Sequence, residues 1–282
     1  MPAQRVRRLA LILLVVLIAG CAGRSTQPPV TVGATPDLES VLLAHVYAGA
    51  LRSSGAAAQV QTAADPVAML DSGALTVVPG FTGRLLAVFA PGAAARSDRP
   101  VYRAMVGALP EGIAAGDYAT AATDKPALAI TKATATAWGG TDLAVLPRHC
   151  DRLTVGGVSG ARPPSAVGRC RLPAVREFPD DKALFAALRA ARIVAAWTST
   201  ADPGVPADVV VLTDGKPALV RAENVVPLYR RNELAEPQLL ALNQVAGVLD
   251  TEALVDMRRQ LADGADPQAV ADAWLSEHPL GR

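Results

Sequence analysis

The chain has 282 residues, with 27 Lys and Arg against 26 Asp and Glu, so its formal net charge is only +1. This near balance leaves no basic stripe, which argues against a nucleic acid as the partner. The length is enough for one large domain or for two lobes with sizeable cores.

The first twenty residues have the order of a secretory signal peptide. Three arginines precede an apolar run over 9–18, which is too short to span a bilayer comfortably. The run ends in Ile-Ala-Gly-Cys, which resembles the bacterial lipobox. We therefore predict a lipoprotein signal peptide over 1–20, a lipidated Cys21 and a tether over 21–29, with the protein held by its lipid at the extracytoplasmic face of the cell membrane. An ordinary signal peptide with an incidental cysteine, or an uncleaved anchor, is the alternative.

Beyond the tether, short apolar segments alternate with helical patterns, which is typical of an α/β fold. The predicted strands are 30–33, 58–62, 75–78, 128–131, 153–156, 175–178, 193–197 and 209–212. The predicted helices are one capped by Thr35 with Pro36 at its first position, then 66–71, 182–190, 236–246, 251–262 and 266–276. In open α/β sheets ligands bind beyond the carboxyl ends of strands, so loops 33–35, 80–84 and 198–202 are where we expect a ligand.

Two cysteines remain after the predicted cleavage, Cys150 and Cys170. In an exported chain an even pair predicts a disulfide bond, which here would close a loop of about 20 residues. The alternative is a pair of reduced, packed thiols. Neither cysteine has the spacing of a zinc or redox motif.

Catalytic motifs are incomplete in this chain. The segment 157–161 lacks one glycine of the G-x-S-x-G turn, and the sequence places no histidine beside Ser159. His45, His149 and His278 are interpreted as surface or packing residues. With no H-E-x-x-H and no phosphate-binding lysine loop, we predict a protein that is not an enzyme and needs no cofactor or metal.

Several short motifs, taken in order, resemble the substrate-binding proteins for glycine betaine, choline and related osmoprotectants in ABC importers. They are Gly33-Ala34-Thr35, the run 68–75 leading into Phe81-Thr82-Gly83, Asn224-Val225-Val226-Pro227-Leu228, 239–243, and 266–271 before Trp274-Leu275. The resemblance runs from about Val30 to Leu280.

This resemblance implies a two-lobed, periplasmic-binding-protein-like fold of type II, with a ligand cleft between the lobes. Lobe 1 would take 30–125 plus 222–282, and lobe 2 would take 126–221. It also implies a small-molecule solute, a membrane permease and an ATPase as partners, and a monomer.

Ligand residues follow from the resemblance only in part. Relatives enclose a quaternary ammonium in aromatic rings, whose faces attract cations. Where they carry Glu-Tyr-Thr-Gly-Thr, this chain has Gly80-Phe81-Thr82-Gly83-Arg84, so Phe81 is one expected wall. The other expected ligand-binding residues are Thr35, Thr82, Asp124, Arg162, Trp197 and Glu223. Of these, Arg162 would meet a solute carboxylate.

Each of these residues also has a purely structural interpretation. Phe81 and Trp197 could belong to the core, and Thr82 could cap the following helix. Asp124 and Glu223 could be solvated loop carboxylates, while Arg84 and Arg162 could be surface charges. If both carboxylates face the cleft, they would pair with an ammonium and favour primary amines.

The sequence therefore predicts an extracytoplasmic solute-binding lipoprotein that captures a quaternary amine or related zwitterion by lobe closure. A diverged receptor fold with a structural or signalling role is the first alternative. An envelope hydrolase using Ser159 is the second, and it requires a histidine that folding brings to the serine.

Overall fold

The computed structural model describes residues 28–161 and 163–281. The predicted signal peptide, the lipidation site Cys21, most of the tether and the predicted ligand residue Arg162 lie outside the described residues. They therefore stay predictions.

The first sheet contains strands from both ends of the chain. They are β1 (Val30–Ala34), β2 (Ala58–Thr62), β3 (Val77–Phe81), β4 (Ile113–Ala115) and β12 (Val225–Arg230), in the spatial order β2–β1–β3–β12–β4. β1 is parallel to β2 and β3, whereas β12 is antiparallel to β3 and β4. The carboxyl ends of β1 and β3 therefore lie at one edge, where the chain continues towards the second sheet.

The helices around this sheet also come from both ends of the chain. They are α1 (Leu38–Ser53), α2 (Pro66–Ser72), α3 (Thr82–Phe89), α4 (Asp98–Gly107), α7 (Glu236–Val248), α8 (Thr251–Ala262) and α9 (Pro267–Glu277). Leu42, Val46 and Leu51 of α1 are fully buried. α9 approaches α1 so closely that a Cβ atom on Gly49 would lie 2.4 Å from Leu275. The first and last helices thus share one core.

The second sheet is built from the middle of the chain. Its strands are β5 (Pro126–Thr131), β6 (Val155–Val158), β9 (Arg176–Phe178), β10 (Ala195–Ser199) and β11 (Val209–Val211), in the order β11–β5–β10–β6–β9. Helices α5 (Lys132–Trp138) and α6 (Asp181–Arg189) and a short hairpin, β7 (Ala166–Val167) with β8 (Cys170–Arg171), complete this half. The predicted disulfide is present, and it joins Cys150 to Cys170 of β8.

Two crossover segments connect the halves and run side by side. The backbone N–H of Asp124 donates to the carbonyl of Glu223 at 2.9 Å, and Thr123 and Asn224 form an antiparallel bridge. Beside them, Lys125 Nζ pairs with Asp214 Oδ2 at 2.9 Å. The junction between the two sheets is therefore narrow and hydrogen-bonded, which is the form of a hinge.

The predicted start of the first helix is wrong. Asp37, not Thr35, is the N-cap residue, because the Asp37 carboxylate accepts the backbone N–H of Ser40 at 2.9 Å. Pro36 therefore precedes the helix, which begins at Leu38. The Thr35 hydroxyl donates instead to the Asp37 side chain, and its N–H donates to the Ser40 hydroxyl at 2.9 Å. Asp37 prevails because it is the residue directly before the helix.

Sequence patterns missed one central strand, β12. It contains Pro227, and a proline inside an apolar run argues against a central strand. In the structure Pro227 lies opposite Pro79 of β3. The carbonyl of Pro227 accepts the N–H of Gly116 at 2.9 Å on the other side of the strand, and the Gly116 carbonyl accepts the Tyr102 hydroxyl at 2.9 Å in place of the N–H that proline lacks. The helices α4 and α5 were also missed, and β3 begins at Val77 rather than at residue 75.

Candidate functional site

The two halves face each other across a cleft of about 290 Å³. Arg84, Asp124 and Arg258 line it from the first half, and Trp197 and Ser199 line it from the end of β10. A larger cavity of about 690 Å³ is lined by crossover residues and by charged residues of both halves, but its lining includes no aromatic side chain. We place the candidate site in the smaller cleft, because charged and aromatic side chains of both halves converge there.

Arg84 is the central cation of this site. It lies in the first turn of α3, and its guanidinium contacts Glu39 Oε2 at 2.9 Å and Asp124 Oδ2 at 2.5 Å. The same guanidinium lies over the ring of Phe81, with its carbon 4.3 Å from the ring centroid. This is a cation–π geometry, so Arg84 is bound by two carboxylates and one aromatic face.

Arg258 of α8 approaches the same carboxylates from the other side. Its Nη1 lies 2.9 Å from Asp124 Oδ1 and 3.2 Å from Glu39 Oε1. Arg84, Glu39, Arg258 and Asp124 thus alternate in charge around a closed ring. The side chain of Asp124 is only 4% exposed, whereas that of Arg84 is 51% exposed. The anions are therefore anchored inside the protein, while one of the cations is accessible from the cleft.

Glu223 caps the helix that carries Arg84. Phe81 occupies the N-cap position of α3 without a side-chain bond, and Glu223 Oε2 accepts the backbone N–H of Arg84 at 2.8 Å. Gly83 allows this contact, because a Cβ atom there would lie 2.6 Å from Glu223 Oε1 and 2.5 Å from the carbonyl of Ala222. A carboxylate from the second crossover therefore satisfies the first turn of α3.

The three carboxyl groups of the site have different net pKa shifts, although burial raises the pKa of each. Burial raises the pKa of Glu223 to about 7, although the hydrogen bond from the backbone N–H of Arg84 lowers it. Burial and the charge of Asp124 also raise the pKa of Glu39. Burial raises the pKa of Asp124 as well, but Arg258 and Arg84 more than offset it, so the pKa of Asp124 lies below its ordinary value. At neutral pH Asp124 is thus the permanent anion, whereas Glu223 is close to its titration point.

The second half contributes an aromatic ring and further carboxylates. Trp197 is 5% exposed and lines the cleft, together with Asp181 and Asp202. Burial raises the pKa of Asp181, and the charges of Asp202 and Asp180 add to the shift. Asp202 is held in place by the hydroxyl of Thr198 and the N–H of Gly204. The wall opposite Arg84 and Arg258 is therefore negatively charged, which suits a solute with a positive group.

The structure brings most of the predicted ligand residues near this cleft, in different positions. Asp124 and Trp197 line the cleft itself. Thr35 and Phe81 line a neighbouring cavity of about 260 Å³ that shares Arg84 with the cleft. Thr82 is fully buried, and its hydroxyl accepts the backbone N–H of Asn224 at 3.1 Å.

The purely structural interpretation holds for Phe81 and Trp197, which both lie in hydrophobic cores, but not for all of the other residues. Thr82 is not the cap of α3, because it is the first residue of the helix and Phe81 precedes it. Asp124 and Glu223 are buried, so the idea that they are solvated loop carboxylates is wrong. Arg84 is exposed, as its interpretation as a surface charge requires, but it is also paired with Glu39 and Asp124.

Sequence reasoning missed two members of the ring, Glu39 and Arg258. Glu39 is visible in the sequence only as an acidic residue in the first turn of a helix, which the helix dipole explains by itself. Arg258 lies 134 residues from Asp124 in the chain, and no local pattern links the two. Only the packing of α8 beside the crossover brings them together.

The geometry does not support a hydrolase. Within residues 28–161 and 163–281, no histidine is hydrogen-bonded to Ser159. His149 stacks on Trp138, and His278 contacts the carbonyl of Trp274 and stacks on its ring. Both histidines therefore have packing roles, as the sequence indicated.

Among the described residues there is neither a cluster of metal ligands nor a helix that could span a membrane. In the part of the chain that the structure describes, no group of three or more His, Cys, Asp or Glu side chains is arranged to hold a metal ion. Over the same ranges, none of the helices is both long and apolar enough to cross a bilayer.

Solved structures with the same fold span nearly the whole chain. The apo form of YehZ from Escherichia coli is 21% identical, with a TM-score of 0.69, and the match covers 90% of this chain and 99% of that chain. A glycine betaine/carnitine/choline ABC transporter structure has a TM-score of 0.71 at 16% identity and covers 88% of this chain and 98% of that chain. An ABC-transporter choline binding protein in complex with choline has a TM-score of 0.57 at 18% identity and covers 89% of each chain. No curated protein matches the sequence.

These similarities define the class of fold. The chain has the two-lobed α/β fold of type II periplasmic binding proteins, as the sequence predicted. Residues 28–277 match the family described as the substrate binding domain of ABC-type glycine betaine transport systems. The chain belongs to this family, which consists of transporter solute-binding domains rather than enzymes.

Proposed function

We propose that this protein is the extracytoplasmic solute-binding lipoprotein of an ABC importer, and that it captures a quaternary amine or a related zwitterion. The observation that carries the proposal is the convergence of Arg84, Asp124 and Trp197 at the cleft between the two halves, with the ring of Phe81 directly beneath the Arg84 guanidinium. Family membership supports the transport role. Binding, rather than chemistry, is the expected activity.

A solute with a positive group would meet anions and aromatic rings in this cleft. Asp124 keeps its charge at neutral pH, and Asp181 and Asp202 lie on the opposite wall. Phe81 and Trp197 supply aromatic rings, whose faces attract a cation that cannot donate hydrogen bonds. Arg162, which lies outside the described residues, remains our proposed partner for a solute carboxylate.

We place the lobe boundaries where the sequence placed them, at 30–125 plus 222–282 and at 126–221. The two sheets draw their strands from these ranges. The paired crossovers at Asp124 and Glu223 would act as the hinge, so that closure brings Trp197 towards Arg84 and buries the solute. The closed, loaded protein would then deliver the solute to a membrane permease driven by an ATPase.

The membrane contact would be the lipid on Cys21. Replacement of this residue, Cys21→Ala, is expected to move the protein from the membrane fraction to the soluble fraction of cells. A protein with both Cys150→Ala and Cys170→Ala is the control, because these two cysteines form the disulfide of the folded body. Retention of the Cys21→Ala protein in the membrane would contradict the anchor.

The solute class can be tested by calorimetry and thermal unfolding of the full-length chain in mild detergent. The panel would contain glycine betaine, choline, carnitine, proline, other amino acids and sugars. A solute at about 100 times its dissociation constant should stabilise the fold by about 2.7 kcal/mol, which raises the unfolding temperature by a few degrees. We expect this shift for quaternary amines only.

A matched pair of variants locates the site. Asp124→Asn should abolish the response, because it removes the buried anion of the cleft. Asp117→Asn changes an exposed aspartate seven residues earlier and should keep the response. If no compound of the panel stabilises the wild-type protein, the solute class is wrong, and a structural or signalling role becomes the better hypothesis.

A further inference from the structure

The aromatic face of Phe81 is already occupied by a cation of the protein itself. The guanidinium carbon of Arg84 lies 4.3 Å from the ring centroid, well inside the range of a cation–π contact. Phe81 is only 3% exposed. A solute ammonium therefore cannot reach this face while Arg84 lies over it.

The carboxylates of the first half, Glu39 and Asp124, are likewise already paired with cations of the protein. Arg84 contacts Glu39 and Asp124, and Arg258 contacts both of them as well. Arg84 differs from Arg258 in exposure, since 51% of its side chain is accessible against 23% for Arg258. Of these two cations, Arg84 is therefore the one that can leave the ring of charges without opening the fold.

Charge pairing then separates two kinds of cationic solute. A simple cation that takes the place of Arg84 leaves the guanidinium without a carboxylate partner, and this loss opposes binding. A zwitterion brings a carboxylate of its own, which can pair with the displaced guanidinium. Binding of a betaine thus leaves the Arg84 guanidinium paired with a carboxylate, whereas binding of choline leaves it unpaired.

We propose that Arg84 is a displaceable internal cation that determines specificity, so that the cleft admits zwitterionic betaines and disfavours simple cations such as choline. This inference rests on the proposed function, because it assigns the solute class of the same cleft. Arg84 acts as a built-in competitor for the ammonium position and then as the partner of the solute carboxylate.

The test compares the dissociation constants of glycine betaine and choline by calorimetry on the full-length chain. The wild-type protein should prefer glycine betaine. Arg84→Gln should tighten choline binding about tenfold and weaken betaine binding, because the competing cation and the carboxylate partner are both lost. Arg52→Gln is the control: it removes a guanidinium paired with Asp272 on the surface, and it should leave the ratio of the two constants unchanged.

Two further measurements keep the outcome decisive if Arg84→Gln fails to fold. Arg84→Lys retains the charge but not the flat guanidinium, and it should move the ratio in the same direction by a smaller factor. In Arg84→Ala, methylguanidinium should compete with choline, because it refills the place above Phe81. A merely structural role for Arg84 would produce neither effect.

The failures of the two proposals are distinguishable. If the wild-type protein binds glycine betaine but the ratio is unchanged in the Arg84 variants, the inference about Arg84 is overturned and the proposed function stands. If neither solute binds any of the proteins, the solute class falls, and the role of Arg84 falls with it.

Discussion

Glu223 is subject to two opposed requirements. As the cap of α3 it accepts the backbone N–H of Arg84, which favours the ionised carboxylate. As a residue that is only 7% exposed and close to the charge of Asp124, it favours the neutral form. Burial prevails, and the pKa of Glu223 lies near 7. The stability of the protein should therefore depend on pH, in part through this residue.

The direction of this pH effect on stability depends on whether the folded or the unfolded chain binds the Glu223 proton more tightly. The pKa of Glu223 is 4.5 in an unperturbed chain and about 7 in the folded protein, so the folded chain holds the proton over a wider range of pH. The contribution of this group to the free energy of unfolding is thus full below pH 4.5 and declines as the pH rises through 7. Glu223→Gln cannot ionise, and its stability relative to wild type should grow by up to about 3 kcal/mol over this rise.

Urea unfolding of both proteins from about pH 5 to about pH 8.5 measures this difference. The control is Glu111→Gln, which changes an exposed glutamate and should show no such trend. A difference between Glu223→Gln and wild type that stays constant over this range would show that Glu223 does not titrate there.

Individual site residues were predictable only where a local motif carries them. Phe81 and Arg84 occur in a recognisable loop after a strand, and Asp124 and Glu223 stand at the predicted crossovers. Their contacts were not predictable, since Arg84 interacts with Glu39 from one helix and with Asp124 from a crossover. Long-range ion pairs of this kind leave no periodic signal in a sequence.

Elements with strong end signals were predictable almost to the residue. α9 begins with Pro267 after an Asp266 cap, and its sequence shows both signals. α3 has no cap of its own, and its first turn is satisfied by Glu223, which lies 139 residues further along the chain. Its start therefore could not be derived from local sequence. The same holds for β12, where the Tyr102 hydroxyl bonds the Gly116 carbonyl in place of the N–H that Pro227 lacks.

The element that connects the site with the two crossovers is α3. Its first turn carries Arg84 into the cleft and is bonded through Glu223 to the second crossover. The first crossover carries Asp124, which binds Arg84 from the other side. Each crossover thus contacts the same arginine through one acidic residue. Displacement of Arg84 by a solute would change the contacts of both crossovers, and in this way binding would be coupled to the hinge.

At the scale of the whole molecule, the arrangement of sheets and crossovers favours a rigid rotation of one half against the other. Each sheet has its own core, and the contacts at the junction are a few hydrogen bonds and the Lys125–Asp214 pair. The disulfide lies entirely within the second half, so it stiffens that half without restraining the hinge. Closure would therefore change the distance between the halves more than the structure within each.

Small-angle scattering of the full-length chain can detect this movement. Saturating glycine betaine should lower the radius of gyration towards the value of about 19 Å expected for a compact chain of this length. A sugar that gives no heat of binding serves as the control, since it alters the solvent but not the hinge. If glycine betaine binds with measurable heat and the scattering curve does not change, the cleft is already closed before binding. Capture by lobe closure would then be wrong, and the solute would have to enter through movements of side chains alone, with Arg84 as the accessible one.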